Sequence, residues 1–324
     1  MNKASKGRHG FTILEVLVTI AIIGILVALL VPAVQHSRAT SRRLQCQDHL
    51  RQIGVALASR EASANEFPSG EDGYIELLPY LEQSAAYDIA KRPGYEPIPL
   101  ITFLNCPSET YEIDARSEQV PNYRFNSGTH FSNQSGTGLN GFRLAKKKII
   151  VDGTLLSVGT KTREITDGLS NTAALSERLV TRGARNILQA FPPEIMAAEN
   201  KRFPWITENI FSGSGVENLV VSECQKRRIS PSFNEGITPS VRSADIGYNH
   251  LLPPNRVSCL NGSDSNSRLH FEYAIIPPSS LHIGGVNVLF ADGSVHFVAE
   301  NIDISVWQSI GTRNGGESYG MGSF

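Results

Sequence analysis

A chain of 324 residues with 40% hydrophobic and 19% charged residues has the composition of a globular protein with one large core or two smaller ones. Its formal net charge of −1 provides no basic surface of the kind that nucleic acid binding requires, so we expect no nucleic acid partner. The sequence motifs of serine hydrolases, zinc peptidases and phosphate-binding loops are absent, so no enzyme is indicated.

The first element is an apolar segment at residues 11–34, in which Glu15 is the one charged residue. The segment is long enough to cross a membrane as a helix. Its many Leu, Ile, Val and Phe residues outweigh the cost of about 3 kcal/mol for one carboxylate, so insertion is favoured. An ionisable group in lipid needs a partner, which makes Glu15 a candidate functional residue.

Two ordinary interpretations of this segment are a signal peptide and a plain anchor. A signal peptide would have a shorter apolar core before a small-x-small site such as Val31-Pro32-Ala33. A plain anchor takes its orientation from flanking basic residues, but here they occur on both sides and do not decide it. They are Lys3, Lys6 and Arg8 before the segment and Arg38, Arg42 and Arg43 after it.

The stretch "KGRHGFTILEVLVTIAIIGILVALLVPAV" resembles the class III signal of type IV prepilins and type II secretion pseudopilins. The resemblance implies that a prepilin peptidase cuts between Gly10 and Phe11 and methylates the new terminus. It also implies that Glu15 neutralises the terminal amine of a neighbouring subunit in a filament, because unpaired charge is costly in lipid. An incidental glutamate near a helix end is the alternative. Pro32 lies where such helices often carry a proline that loosens the backbone.

Partners and location follow from the same resemblance. We expect contact with membrane lipid, a prepilin peptidase and other pilin-like subunits. We expect a single-pass protein of the bacterial inner (cytoplasmic) membrane. Its globular domain would lie on the periplasmic side, or in a periplasmic or extracellular filament after assembly.

A helical pattern continues beyond the apolar segment, since Cys46, Leu50, Ile53 and Leu57 recur at the spacing of an amphipathic face. The pattern predicts one helix from about residue 11 to 62, roughly 75 Å long. A short coiled coil is the alternative, but two heptads are too few to support it.

The predicted divisions are a leader at 1–10, a transmembrane helix at 11–34, an amphipathic continuation at 35–65 and a globular domain at 66–324. The predicted fold class is α+β and pilin-like. The long N-terminal helix packs on a mainly antiparallel β-sheet domain with irregular insertions.

The globular part begins with a predicted loop and short amphipathic helix over residues 67–90, followed by a strand that ends at Cys106-Pro107. Short strands and turns are predicted at 122–141. Residues from about 182 to 268 have weak periodicity and several prolines, and they are expected to form an irregular insertion with short strands.

A β-hairpin is predicted in "GGVNVLFADGSVHFVAE", with Asp292 and Gly293 as a two-residue type I′ turn. That turn fixes the register of the two strands. The predicted pairs are Phe290 with Val295, Val288 with Phe297 and, on the opposite face, Leu289 with His296.

Four cysteines, Cys46, Cys106, Cys224 and Cys259, are widely spaced and contain no C-x-x-C pair. In an oxidising compartment three pairings exist, and the order along the chain favours Cys46 with Cys106 and Cys224 with Cys259. Four reduced buried thiols remain the alternative.

Two places in the sequence contain residue types suited to metal binding or acid-base chemistry. His282, Asp292 and His296 contain suitable groups, but Asp-Gly is typical of a tight turn and a histidine can bond a loop backbone, so a structural role is favoured. Asp264 and Asn266 offer alternate oxygens for the calcium ion that type G pseudopilins carry, but further acidic ligands are missing. We therefore predict no catalytic residue, metal or cofactor, with calcium as the ion to test.

Fragments along most of the chain resemble a bacterial family of prepilin-like proteins, described as a domain of unknown function with a C-terminal H-x9-D-G motif. Here the motif is His282 followed by Asp292-Gly293. Many relatives have two asparagines where this chain has Gln47-Asp48. The supporting fragments are "QCQDHLRQIGVAL", "LLPYLEQ", "FLNCPSE", "ITDGLSNT" and "LFADGSVHFVAENID" with "GTRNGGE".

The expected function is that of a non-enzymatic, processed, membrane-tethered subunit of a pseudopilus or type IV pilus-like structure that serves protein secretion. One alternative is an envelope-displayed binding module that uses the prepilin signal only for targeting. Another is a hydrolase with its site near His282.

Overall fold

The computed structural model shows one long helix packed against a five-stranded sheet. It describes residues 12–68, 73–92, 101–109, 121–129, 148–151, 154–157, 159–179, 204–207, 221, 247–261 and 274–317.

Helix α1 (Ile13–Ala64) is continuous over 52 residues and is about 78 Å long. It passes through Pro32, which has no N–H to donate to the carbonyl of Ala28. The predicted stripe on its second half is buried, and the helix ends where Asn65 adopts a left-handed conformation. One end of α1 is therefore free of the domain and the other end is part of its core.

Three further helices are described. They are α2 (Gly73–Leu77), α3 (Ser84–Lys91) and α4 (Ile304–Ser309). A loop and one short helix were predicted over 67–90, but the structure has two short helices there, because a 3₁₀ turn at Leu78–Leu81 and a left-handed Glu82 separate α2 from α3. A strand was predicted before Cys106, but the described part of this segment forms a 3₁₀ turn at Thr102–Leu104. The amides of Leu104 and Asn105 bond carbonyls three residues earlier and not a neighbouring strand.

Ten strands lie within the described residues: β1 (Tyr123–Asn126), β2 (Lys148–Val151), β3 (Thr154–Ser157), β4 (Ala173–Glu177), β5 (Pro204–Thr207), β6 (Gly247–Tyr248), β7 (Ser258–Asn261), β8 (Ala274–Ile275), β9 (Gly285–Phe290) and β10 (Val295–Ala299). The main sheet has the order β10-β9-β4-β1-β6, antiparallel except for the β1–β6 pair. Two smaller sheets, β2-β3 and β5-β7-β8, accompany it. The predicted α+β class with a mainly antiparallel sheet is confirmed.

The main sheet is covered on both faces, and α1 lies on one of them. There Leu175 and Leu289 pack with the buried stripe of α1. On the opposite face Val288 and Phe290 pack with Trp307 of α4. This double cover explains why β9 is buried along its whole length.

The hairpin of β9 and β10 forms as expected, but its predicted register was wrong by one residue. The connection contains three residues, Ala291 to Gly293, because Phe290 N–H bonds the Ser294 carbonyl. Asp292 accepts from the Ser294 amide, and Gly293 has a φ of +88°. A three-residue loop with glycine in the left-handed position has the same Asp-Gly signature as the predicted two-residue turn. The observed pairs are Val295 with Leu289, His296 with Val288 and Phe297 with Asn287.

Two separated family fragments meet at the C-terminal end of the described chain. Asp167, from "ITDGLSNT", accepts hydrogen bonds from the amides of Gly315 and Gly316 and from the Thr312 hydroxyl, all in "GTRNGGE". These bonds satisfy loop amides that have no strand partner there. The two fragments therefore hold one another in place.

Candidate functional site

The first half of α1 presents an apolar surface that no other described residue covers. Residues 12–38 are all exposed, although they are mostly Leu, Ile, Val and Ala. Within the described residues this is the one helix long and apolar enough to cross a membrane. A surface of this size requires lipid or other protein around it.

Glu15 lies at the start of this apolar surface, in the first turn of α1. Its carboxylate accepts from the Thr12 amide at 2.9 Å and from the Thr12 hydroxyl at 2.8 Å. The Thr12 hydroxyl in turn accepts from the Glu15 amide at 3.3 Å, which completes a capping box. Sequence analysis missed this local role, which the Thr-x-x-Glu spacing could have indicated.

The second half of α1 is joined to the segment after the 3₁₀ turn at Thr102–Leu104 by a disulfide between Cys46 and Cys106, the first of the two predicted pairs. The Cα atoms are 5.0 Å apart and both residues are buried. The Tyr123 hydroxyl lies 3.4 Å from the Cys46 carbonyl and 3.3 Å from Nδ1 of His49. Burial raises the pKa of Tyr123, so this hydroxyl remains a neutral hydrogen-bond donor.

Gly54 is a close contact between α1 and the hairpin. A Cβ at this position would lie 2.9 Å from Cδ1 of Leu289 and 3.2 Å from Cα of Gly293. Only glycine therefore lets the helix backbone rest on the hairpin turn. Arg43, further up α1, places its guanidinium 4.8 Å from the ring centre of Phe297 on β10.

Gln47 connects α1 to a buried polar chain on β9. Its Nε2 donates to Oδ1 of Asn287 at 3.0 Å. Asn287 in turn donates to both carboxylate oxygens of Glu177, at 2.9 Å from its amide nitrogen and 2.8 Å from Nδ2. Gln47 thus connects α1 to the sheet.

His282 lies at the end of this chain and beside the disulfide. Its Nε2 is 3.2 Å from Oε1 of Glu177 and 3.6 Å from Sγ of Cys106. The side chains of His282 and Glu177 are only 3% and 2% exposed. A carboxylate is an acceptor, so Nε2 carries the proton and donates to it. The expectation that this histidine bonds a loop backbone was therefore wrong: its ring pairs with a carboxylate.

The structure divides His282, Asp292 and His296 into two groups. His282 belongs with Glu177 and the disulfide, whereas Asp292 accepts from the amide and hydroxyl of Ser294 in the turn. His296 reaches the same hydroxyl at 3.2 Å and meets Phe290 edge to face. The three predicted residues therefore do not form one acid-base cluster.

Sequence analysis missed Glu177 and Asn287. The available signal was a carboxylate and an amide, each in an apolar strand, at "AALSE" and "GVNVLF". Buried polar groups of this kind need partners, but the sequence does not say which.

Several predicted residues lie outside the described part of the chain. They are Gly10 and Phe11 of the cleavage site, Cys224, the side chain of Cys259, and the calcium candidates Asp264 and Asn266. The second disulfide and the calcium site therefore remain predictions.

Comparison with protein families agrees with these features. Residues 5–31 match the prokaryotic N-terminal methylation motif, which makes the protein prepilin-like and, with its apolar helix, fits membrane anchoring. Residues 35–305 match a family described as a protein of unknown function, DUF1559. The chain belongs to this family, because the match covers most of its length. No curated protein and no solved structure matches the chain.

Proposed function

We propose that the protein is a non-enzymatic, membrane-tethered subunit that a prepilin peptidase processes and that assembles with other pilin-like subunits into a pseudopilus-like filament. The observation that carries the proposal is the continuity of α1. Its first half is exposed throughout, while one face of its second half is buried in the domain core. Before assembly lipid covers the exposed half, and in a filament the helices of neighbouring subunits take its place.

The attachment of α1 suits it to assembly. The disulfide, the Gly54 contact and the Gln47 hydrogen bond hold the helix to the sheet at three points. No break separates the two halves of the helix, so the domain must follow the position of its apolar half. Regular stacking of helices would therefore place the domains in a regular array.

The buried position of His282 supports a structural and not a hydrolytic role. Its imidazole and the Glu177 carboxylate are both buried, and they already bond one another. A hydrolase needs its base within hydrogen-bond reach of a substrate. We therefore propose that the function lies in the helix and its assembly and not in hydrolysis. In this proposal the domain lies on the periplasmic side of the inner membrane, and the assembled subunits serve protein secretion.

Glu15 is the residue on which the assembly proposal can be tested, but its local cap must be separated from its charge. Glu15→Gln keeps an acceptor for the Thr12 amide and removes the charge, since glutamine also serves in capping boxes. Thr12→Val removes the hydroxyl and keeps the Glu15 carboxylate. The two variants therefore separate pairing with a neighbour's amine from local capping.

We expect both variants to insert and to be cleaved, as shown by N-terminal sequencing of membrane-extracted protein. Glu15→Gln should lose cross-linked ladders and sheared filaments, because each subunit then brings an uncompensated ammonium into an apolar bundle. Thr12→Val should still assemble. Normal ladders from Glu15→Gln would contradict the charge role. Wild-type protein that is cleaved but remains monomeric would contradict the filament proposal and favour a tethered binding module.

A further inference from the structure

Four potential metal ligands lie together beneath α1, although they are far apart in sequence. They are Cys46 on α1, Cys106 after the 3₁₀ turn, Glu177 at the end of β4 and His282 before β9. Their ligand atoms lie within 4.8 Å of one another and all four residues are buried. Two sulfurs, one imidazole and one carboxylate are a ligand set that zinc accepts.

We propose that these residues bind one Zn²⁺ when the Cys46–Cys106 disulfide is reduced, so that disulfide and metal are alternative fastenings of α1 to the sheet. A dithiol or phosphine supplies two electrons, and with two protons the disulfide becomes two thiols. Zinc then displaces both thiol protons and is held by two thiolates. His282 coordinates through Nε2, with its ring proton moved to Nδ1.

Two of the distances in the oxidised protein are already close to those of a tetrahedral zinc site. Zn–S bonds of about 2.3 Å and Zn–N or Zn–O bonds of about 2.0 Å separate neighbouring ligand atoms by about 3.3–3.8 Å. Nε2 of His282 lies 3.6 Å from Sγ of Cys106 and 3.2 Å from Oε1 of Glu177. The two sulfurs, which are bonded in the oxidised protein, must move apart, and all four ligand atoms must settle from within 4.8 Å of one another to these separations.

The surroundings of the cluster also resemble the outer shell of a metal site. Asn287 holds both oxygens of Glu177, and the Ser280 hydroxyl accepts from the backbone amide of His282. Such contacts orient ligands and raise metal affinity. A disulfide by itself requires neither a buried carboxylate nor an imidazole beside it, and burying these groups is costly. Coordination of zinc would account for the burial of both the carboxylate and the imidazole.

The test uses the full-length chain in detergent with Cys224→Ser and Cys259→Ser, so that Cys46 and Cys106 are the only thiols. Oxidised and phosphine-reduced samples are incubated with Zn²⁺, desalted and analysed for metal. We expect one zinc per reduced chain and none per oxidised chain. With Co²⁺ the reduced chain should show the sulfur-to-metal charge-transfer bands of a tetrahedral site with two thiolates.

Ligand variants show whether the metal occupies this cluster. His282→Gln and Glu177→Gln should each weaken zinc binding by more than about 100-fold, because outer-shell changes alone cost about 10- to 100-fold. Asn287→Ala, which changes only the outer shell, should weaken zinc binding by about 10- to 100-fold. His296→Ala is the matched control, since His296 lies in the other group, and it should bind zinc like the parent. Unfolding curves of the oxidised variants check that each is folded.

Two results would overturn the proposal. The first is a reduced, folded parent chain that takes up no zinc or cobalt. The second is zinc binding that is unchanged in folded His282→Gln and Glu177→Gln, or that His296→Ala weakens equally.

Discussion

His250 is a buried histidine whose titration tests the packing of α4 on the sheet. Its ring stacks on Trp307 with centroids 3.9 Å apart. Nδ1 lies 2.7 Å from the Trp307 carbonyl and must donate to it, and Nε2 then accepts from the Tyr248 hydroxyl at 3.1 Å. The neutral ring is therefore fully bonded, and burial lowers the pKa of His250 to about 3.

The sign of the pH effect follows from comparing the two states. An unfolded histidine has a pKa of about 6.5, so as the pH falls the unfolded chain takes up the proton before the folded chain does. The stability that neutral His250 contributes is present above pH of about 6.5 and is lost progressively as the pH falls towards 3. Between pH 7 and pH 5 this one group lowers the free energy of unfolding by about 2 kcal/mol.

The assay is urea unfolding of the full chain in detergent at pH 7 and pH 5, followed by tryptophan fluorescence. His250→Asn keeps a donor for the Trp307 carbonyl but cannot titrate in this range. We expect the variant to be less stable at pH 7, because the Tyr248 hydroxyl loses its partner. Between pH 7 and pH 5 the free energy of unfolding of the variant should fall by about 2 kcal/mol less than that of the wild type.

His49 provides a matched control for this experiment. Burial also lowers the pKa of His49, but His49 is only partly buried in the structure. His49→Asn should therefore remove a smaller part of the pH dependence than His250→Asn. If His250→Asn loses as much stability as wild type between pH 7 and pH 5, the neutral, fully bonded state assigned to His250 is wrong.

Substitutions at three places test the attachment of α1 and the hairpin by urea unfolding at pH 7. Gly293→Val should cost about 1 kcal/mol or more, because it forces a β-branched residue to positive φ, while Gly293→Asn should cost less; equal losses would contradict this. Replacing Cys46 and Cys106 by serine should cost about 4 kcal/mol for a 60-residue loop, and an unchanged midpoint would contradict a native disulfide. Gly54→Ala should lower stability by about 1 kcal/mol, because overpacking against the hairpin exceeds the gain in helix propensity; a stabilised variant would contradict the close contact.

The elements that sequence predicted well are those fixed by local patterns. The stripe of Cys46, Leu50, Ile53 and Leu57 follows helical periodicity, and all four residues are buried on α1. Glycine after aspartate at position 293 indicated a residue with positive φ, which the structure contains. In both cases the information lies within a few residues of chain.

The features that sequence did not predict depend on neighbours distant in the chain. Glu177 and His282 are 105 residues apart, and they meet because β4 lies beside β9 in the sheet. The hairpin register depended on whether Ala291 joined the loop or the strand. The methyl side chain of Ala291 fits either position. The hydrogen bonds between Asp292 and Ser294 are those of the three-residue loop, but the sequence does not reveal them.

The spacing of the H-x9-D-G motif follows from one strand packed along one helix. His282 precedes β9 and contacts the disulfide of Cys46, whereas Gly293 follows β9 and contacts Gly54. Eight helical residues between Cys46 and Gly54 span about 12 Å. The six residues of β9 span about 17–20 Å at 3.3 Å per residue, so one strand is long enough to connect the two contacts. One end of the motif thus contacts Cys106, which is bonded to Cys46 of α1, and the other contacts α1 at Gly54 about two turns further on, with Asn287 bonded to Gln47 between them. Shortening or lengthening the spacing between His282 and Asp292 would move one end of the motif away from its contact. The motif therefore fixes the position of the domain along α1.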